Sequence, residues 1–300
     1  MIRSYRVWCA TVVVWGIGVG WLCASAAAQT APAGAHEWAS GTHEALAAYL
    51  AGDDEGAQRL CTRVLTDGQA SAAAQHDAAA IFAMTLLRST VRSDRVEGLA
   101  RLSQLGQEDP SLMNEPECNL AYGNAQAALA ATTDALEGLE AAAAGFAARE
   151  QTDRELAALV ALADAWLRHG EWETTPARLV ARLPHGAAEI AAERRKQVDA
   201  LRVRAAALPD SAEAVARIDL LLARHLLADE ATVAEGRALL ERLAAAETLN
   251  EPTAEAAFLL AERDEKDGRP AEALRLYERV QRDWRGELDL PTLYAAGVFS

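Results

Sequence analysis

Beyond residue 30, apolar residues recur three and four positions apart in segments of helical length, and short polar breaks separate the segments. The breaks carry turn residues, as at Asp67-Gly68 and Asp267-Gly268. Alanine, the best helix former, dominates the apolar residues, and the alternating valine-rich pattern of β-strands is missing from this part of the sequence. The pattern predicts an all-α protein with helices near 42–51, 54–66, 71–89, 94–106, 116–130, 133–149, 153–169, 174–182, 186–207, 211–228, 232–246, 252–266, 269–284 and 291–298.

Several helix starts carry capping signals. Thr152 with Glu155, and Thr232 with Glu235, have the spacing of a capping box, in which each side chain bonds a free backbone N–H of the first turn. Simple N-caps are predicted at Ser71, Ser93 and Ser211.

A spaced set of small residues recurs along the chain. Ala45, Gly52 and Ala57 form one set, and Ala261, Gly268 and Ala273 repeat its spacing. Residues 159–172 hold the first half of the same pattern. Such self-similarity predicts an array of helical pairs, because each pair must bury its apolar face against its neighbours. Small residues that open the second helix of a pair stand at Ala57, Gly98, Gly138, Gly236 and Ala273.

The spacing is interrupted in the middle of the chain. The interval from Gly138 to Gly236 has room for two pairs and one extra helix, which we assign to the arginine-rich segment 186–207. Leu86 stands where a small residue is expected before Gly98, and Thr175-Pro176 breaks the helix that should follow Gly170. An irregular junction is therefore predicted near residues 174–210.

These residues resemble the tetratricopeptide repeat family, whose 34-residue unit places two small residues twelve positions apart where paired helices cross. Ala45 with Ala57 and Ala261 with Ala273 match that spacing, Gly52 and Gly268 match the turn glycine, and Trp166, Tyr277 and Pro110 match two aromatic sites and the closing proline. The resemblance implies a right-handed array of antiparallel helical hairpins, an α-solenoid of about six to seven pairs.

In the family, side chains of the first helix of each pair face a concave groove that receives a peptide or a partner helix. Carried over in register, the binding positions are Val160, Asp164 and Arg168 in one unit and Phe258, Glu262, Glu265 and Lys266 in the last. The last set is mainly acidic around one aromatic ring, so the resemblance implies a basic or amphipathic partner segment.

The first 28 residues have the order of a secretory signal peptide: Arg3 and Arg6, an apolar run from Val7 to Ala24, and small residues up to Ala28. The apolar run is also close to the length of a membrane-spanning helix, so a retained anchor stays an alternative, as does lipid attachment at Cys23. Residues 29–35 are predicted to be a flexible leader, and residues 36–300 the repeat domain. Export places the protein in the periplasm or cell envelope, and the composition is typical of a bacterial protein.

Charge and cysteine content limit the partners. The formal net charge of −15 argues against binding to nucleic acid or to anionic lipid, so contact with a membrane is expected only through an uncleaved anchor. Cleavage would leave two cysteines, Cys61 and Cys118, which could pair in an oxidising compartment or lie buried as small apolar residues.

Motifs for catalysis, metal or cofactors are not found. His36-Glu37 and His43-Glu44 lack a second histidine at metal-ligand spacing, and there is no phosphate-binding loop and no nucleophile elbow. Carboxylates such as those of Glu262, Asp264 and Glu265 are interpreted as solvating charges on an exposed face. The large side chains of Trp166, Trp172 and Tyr277 are interpreted as packing anchors, and that of Trp38 is expected to be partly exposed.

The sequence therefore predicts a non-enzymatic interaction scaffold that needs no cofactor. Two alternatives remain: an accessory helical domain of a larger enzyme or secretion complex, and a solute-binding carrier with a dry apolar pocket. Packing of Leu293, Tyr294 and Val298 as a terminal cap would favour the scaffold, whereas their exposure would imply a missing partner.

Overall fold

The computed structural model describes residues 36–129, 132–168 and 187–284, with side chains omitted for residues 132–133 and 187–190. The signal segment 1–28, the leader 29–35, Gly170, Trp172, Thr175-Pro176 and the predicted helices 174–182 and 291–298 lie outside this part. Within it the chain is all-α. Its helices are α1 His43–Leu50, α2 Asp54–Thr66, α3 Ala72–Arg88, α4 Arg92–Glu108, α5 Pro116–Ala128, α6 Thr132–Ala148, α7 Thr152–Arg168, α8 Ala187–Ala206, α9 Ala212–Leu227, α10 Val233–Ala244, α11 Glu251–Lys266 and α12 Pro270–Asp283.

The helices pack in sequential pairs, α1 with α2, α3 with α4, α5 with α6, α7 with α8, α9 with α10, and α11 with α12. The first helix of each pair, from α3 onward, packs against both helices of the pair before it. This is the neighbour-to-neighbour packing of an α-solenoid, and the all-α fold class is confirmed. In the described segments no helix is both long and apolar enough to cross a membrane.

The arginine-rich segment forms α8. It packs against α7 and against α9, in the position that the second helix occupies in the other pairs. The α8 side chains Val198, Leu201 and Ala205 are buried, which explains why it takes this position. The predicted helix 174–182 lies outside the described residues, so the assignment of 186–207 as the extra helix stays a prediction.

Small residues lie where paired helices approach most closely. A Cβ added at Gly98 would meet the Ala83 carbonyl oxygen at 2.9 Å, and one at Gly236 would meet that of Ala223 at 2.9 Å. Leu86 also faces Gly98, since the same Cβ would meet the Leu86 Cβ at 3.1 Å, so this crossing pairs Gly98 with a large residue, as predicted. The spacing between crossing positions varies from pair to pair, although the crossing itself is retained.

Turns and caps show which local predictions hold. Gly52 and Gly268 end α1 and α11 with φ of 81° and 75°, a backbone that favours glycine. Ser71 caps α3 through the Ala74 N–H, as predicted.

The two predicted capping boxes are wrong. The Thr232 hydroxyl donates to the Leu226 carbonyl, and Thr152 lies inside the first turn of α7 with its partner Glu155 bonded to Arg204. Ser93 lies inside α4, and Ser211 precedes α9 without a capping bond. The observed capping box joins Asn250 and Thr253 at the start of α11.

The core consists of two hydrophobic clusters. The N-terminal cluster joins α1 to α5 and includes Tyr49, Met84 and both buried cysteines, Cys61 and Cys118, which are free. Burial raises the pKa of the Cys61 thiol to about 11. The C-terminal cluster joins α6 to α12, with Trp166 and Tyr277 packed against it, as expected for packing anchors. Trp38 is half-buried against the N-terminal cluster.

Candidate functional site

The predicted binding residues do not lie on one common surface. Phe258 is only 1% exposed and packs edge-on against Tyr277, with ring centroids 5.4 Å apart, so it is part of the core. Glu265 lies beside the Tyr277 hydroxyl at 3.5 Å. Asp164 and Arg168 form an ion pair with each other across one turn of α7, at 2.9 Å. The remaining three, Val160, Glu262 and Lys266, line two pockets on adjacent first helices.

Val160 lies in a groove between α7 and α9, which we call the acidic groove. Its volume is about 500 Å³, and Leu156, Ala157, Val160 and Ala214 supply its apolar surface. The exposed carboxylates of Asp153, Asp210 and Glu213 lie around it and form no ion pair in the described part of the chain, and Arg217, which is paired with two glutamates, also lines it. An apolar floor with a negative border suits a segment that carries both aliphatic and basic side chains.

Glu262 and Lys266 line a smaller pocket between α9 and α11, which we call the basic pocket. Its volume is about 190 Å³, and its other lining residues are Arg224, Leu227, Leu259 and Arg263. Three cations and one anion therefore surround it. The expectation that the last unit presents an acidic surface fails at this pocket, because Arg224 comes from the neighbouring first helix and Phe258 and Glu265 do not line it.

Ion pairs engage Arg217 of the acidic groove and Arg224 of the basic pocket. Arg217 of α9 binds Glu251 at 2.8 Å and Glu255 at 3.0 Å, both on α11, and Arg224 also bonds Glu255. These contacts neutralise the middle of the surface and tie two first helices together. The charges still available to a ligand therefore lie at its two ends.

A buried carboxylate recurs on the first helices, and sequence reasoning missed it. Asp264, interpreted as a solvating charge, is 3% exposed and binds Arg237 at 2.5 Å and Arg269 at 3.0 Å. Comparable carboxylates on α3, α5, α7 and α9 are also buried, Asp77 beside His36 and the other three beside arginines, namely Glu117 with Arg154, Glu155 with Arg204, and Asp219 with Arg242.

One signal in the sequence could have pointed to these pairs. The chain has 29 basic residues of which only Lys196 and Lys266 are lysines. Arginine is the better partner for a buried carboxylate, since its planar guanidinium donates two parallel hydrogen bonds and stays charged. Glu115 shows this geometry, since Arg149 donates to both of its oxygens at 2.8 Å and this bonding raises the pKa of Arg149.

The segment before α1 is attached to the body through a group of contacts that we call the N-terminal clasp. His36 Nε2 lies 2.8 Å from the buried Asp77 carboxylate, and the Ala39 N–H donates to the same carboxylate at 2.6 Å. The His36 N–H donates to Glu115, and its Nδ1 lies 3.1 Å from the Ser111 hydroxyl. The clasp therefore fixes residues 36–39 across α3 and the start of α5.

The clasp places serine, histidine and aspartate in line, which raises the question of nucleophilic chemistry. The Ser111 hydroxyl donates to Asp109 at 2.6 Å, so His36 does not receive its proton. The Asp109 carboxylate that accepts this bond would also oppose the negative charge of an acyl-transfer intermediate. We interpret the group as an anchoring contact.

Comparison with known proteins adds no relative, since neither the protein-family models nor the curated proteins match this chain. Among the described residues, no group of three histidine, cysteine, aspartate or glutamate side chains is arranged to hold a metal ion. The site is therefore defined by its own geometry, as the acidic groove and the basic pocket on α7, α9 and α11.

Proposed function

We propose that this chain is a non-enzymatic protein-binding scaffold of the bacterial cell envelope, of tetratricopeptide-like build, and that it binds a basic, amphipathic segment of a partner in the acidic groove. The observation that carries the proposal is the groove itself: three exposed carboxylates, without an ion pair in the described part of the chain, around the apolar surface of Leu156, Val160 and Ala214. Export is supported by the signal-like order of residues 1–28.

The pockets described fit a protein segment better than a small solute. The acidic groove is bordered by charged residues from two helices, and its apolar part is shallow and continuous with the surface. A carrier site encloses its ligand within apolar walls and buries most of its surface. The acidic groove instead offers a place for a few side chains of a larger molecule.

The test is a pull-down from bacterial envelope extract with the chain from Gln29 onward, in three forms. The first is the unaltered chain, the second carries Asp210→Lys and Glu213→Lys, and the third carries Glu137→Lys and Glu278→Lys, exposed acids on the second helices α6 and α12. We expect the groove variant to lose a partner that the other two retain, because reversed charges repel a basic segment.

The segment of that partner is then mapped as synthetic peptides and titrated calorimetrically. Saturable binding of a lysine- or arginine-bearing amphipathic peptide, weakened at least about tenfold in the groove variant, supports the proposal. Equal recovery of partners by the groove variant and the unaltered chain contradicts it.

A further inference from the structure

We propose that the segment bound by this chain is bipolar, with basic residues at one end for the acidic groove and carboxylates at the other end for the basic pocket. This inference rests on the proposed function and specifies its ligand. The occupant is an extended segment of a partner protein, and charge complementarity along α9 is the observation that identifies it.

The first step of the argument is that both sites share one face of α9. Glu213, Arg217 and Arg224 follow one another at spacings of four and seven residues, which places them on one side of a helix. The bonds of Arg217 and Arg224 to the same residue, Glu255 of α11, agree with this placement. A segment lying along this side of α9 would therefore contact both the acidic groove and the basic pocket.

The second step is the separation of the two sites. Glu213 and Arg224 are eleven positions apart along α9, which corresponds to about 16 Å at 1.5 Å per residue. An extended peptide covers that length with about five residues. A short stretch of extended chain can thus place a lysine in the acidic groove and an aspartate in the basic pocket at the same time.

The third step is that these charges are available, whereas those between them are not. Acids near helix N-termini and bases near C-termini also stabilise helices by themselves, so their position alone would not imply a ligand. However, Asp153, Asp210, Glu213 and Lys266 are exposed and form no ion pair in the described part of the chain, while Arg217 is held by two glutamates. The acidic groove thus has three unpaired acids, whereas the basic pocket has Lys266 among three cations and one acid, Glu262.

The experiment uses three fluorescein-labelled ten-residue peptides of equal length and fluorescence anisotropy with the chain from Gln29 onward. The bipolar peptide has two lysines and two aspartates separated by about five apolar and small residues. The mixed peptide has the same composition with the charges interspersed, and the basic peptide has lysines in place of the aspartates. The protein is used unaltered, as Glu213→Lys, as Lys266→Glu and as the control Glu137→Lys.

We expect the bipolar peptide to bind at least about tenfold more tightly than the mixed peptide, and Lys266→Glu to weaken the bipolar peptide while strengthening the basic one. Glu213→Lys should weaken both, and Glu137→Lys neither. If the basic peptide binds as tightly as the bipolar one and Lys266→Glu does not weaken the latter, the proposal of a bipolar ligand is wrong. The proposed binding of a basic segment in the acidic groove is then retained. If no peptide binds saturably to the unaltered chain, the bipolar ligand and the proposed function both fail.

Discussion

Both hydrophobic clusters bury carboxylates on first helices, but Asp77 on α3 and Asp264 on α11 are held by different groups. In the N-terminal cluster, Asp77 is held by His36 and by a backbone N–H of the segment before α1. In the C-terminal cluster, Asp264 is held by arginines on α10 and at the start of α12. The first arrangement attaches a chain segment to the array, whereas the second joins neighbouring pairs of the array to each other.

This difference has an energetic consequence. If Asp77 is removed, residues 36–39 can leave the surface and bond water, so the unpaired donors need not stay buried. If Asp264 is removed, Arg237 and Arg269 stay beside the core, because the helices that carry them belong to the array. A buried charge without its partner is costly, and the two clusters should therefore respond unequally to the same kind of substitution.

The largest effect is expected for Asp264→Ala. We expect it to lower the free energy of unfolding by about 3–5 kcal/mol, the range for breaking a buried ion pair. Asp77→Ala should lower it by about 1–3 kcal/mol, the cost of losing hydrogen bonds to groups that can reach water. Urea unfolding followed by circular dichroism measures both.

The exposed neighbour Glu265→Gln is the control for Asp264→Ala, and its effect should stay within about 0.5 kcal/mol. Equal losses of unfolding free energy for Asp77→Ala and Asp264→Ala would show that the N-terminal clasp stabilises the fold as much as the arginine pairs do. That result would remove the proposed difference between the clusters.

Helix α2 and the residue Asp264 show most clearly which features of the fold the sequence predicts and which it does not. The bounds 54–66 of α2 were predicted to the residue, since helical periodicity and the turn residues Gly52 and Gly68 are local signals. The burial of Asp264 depends on Arg237, which lies on another helix 27 residues earlier. A pattern along one helix shows which positions face inward on average, but it does not show that a carboxylate there will find a cation.

The candidate site was predicted less well for the same reason. Of the predicted binding residues, Val160, Glu262 and Lys266 line pockets on first helices, because register along a helix follows from its period; their role in binding stays a prediction. Arg224 and Glu213 on α9 and Asp210 just before it were missed, since the small-residue spacing changes in this part of the chain and the repeat pattern gave no register. The sign of the charge in each pocket is set by the neighbouring helix, which repeat register alone does not supply.

The helix crossings are expected to behave alike in the two clusters. Gly98→Ala and Gly236→Ala each force a Cβ against a backbone carbonyl oxygen 2.9 Å away, so each should cost about 1–3 kcal/mol from overpacking. Gly68→Ala is the matched control, because nothing lies within 4 Å of its Cβ position.

Thermal unfolding of the three glycine variants gives the comparison. If Gly98→Ala lowers the unfolding temperature and Gly236→Ala does not, close helix crossings are confined to the N-terminal cluster. The two clusters would then differ in backbone packing as well as in how they hold buried charge.

The smallest effect concerns two tyrosines whose pKa is raised to about 12 for different reasons. Burial raises the pKa of Tyr49 in the N-terminal cluster, against the opposing charge of Arg88, whose guanidinium lies 3.6 Å from the centre of the ring. For Tyr277 in the C-terminal cluster, burial is joined by the carboxylates of Glu265 and Glu262, which also raise the pKa. Glu265→Gln should therefore lower the pKa of Tyr277 and leave that of Tyr49 unchanged in an ultraviolet titration.

The sign of the effect on stability follows from the direction of the shift. A phenol with a higher pKa in the folded chain than in the unfolded chain favours folding while it is neutral, and that contribution is lost as the pH rises from 10 to 12. Tyr49→Phe cannot ionise, so the fall in stability between pH 9 and pH 11 should be smaller in this variant by about 1 kcal/mol. An unchanged alkaline profile would mean that the Tyr49 hydroxyl reaches water in the folded protein, and the N-terminal cluster would then be open at α1.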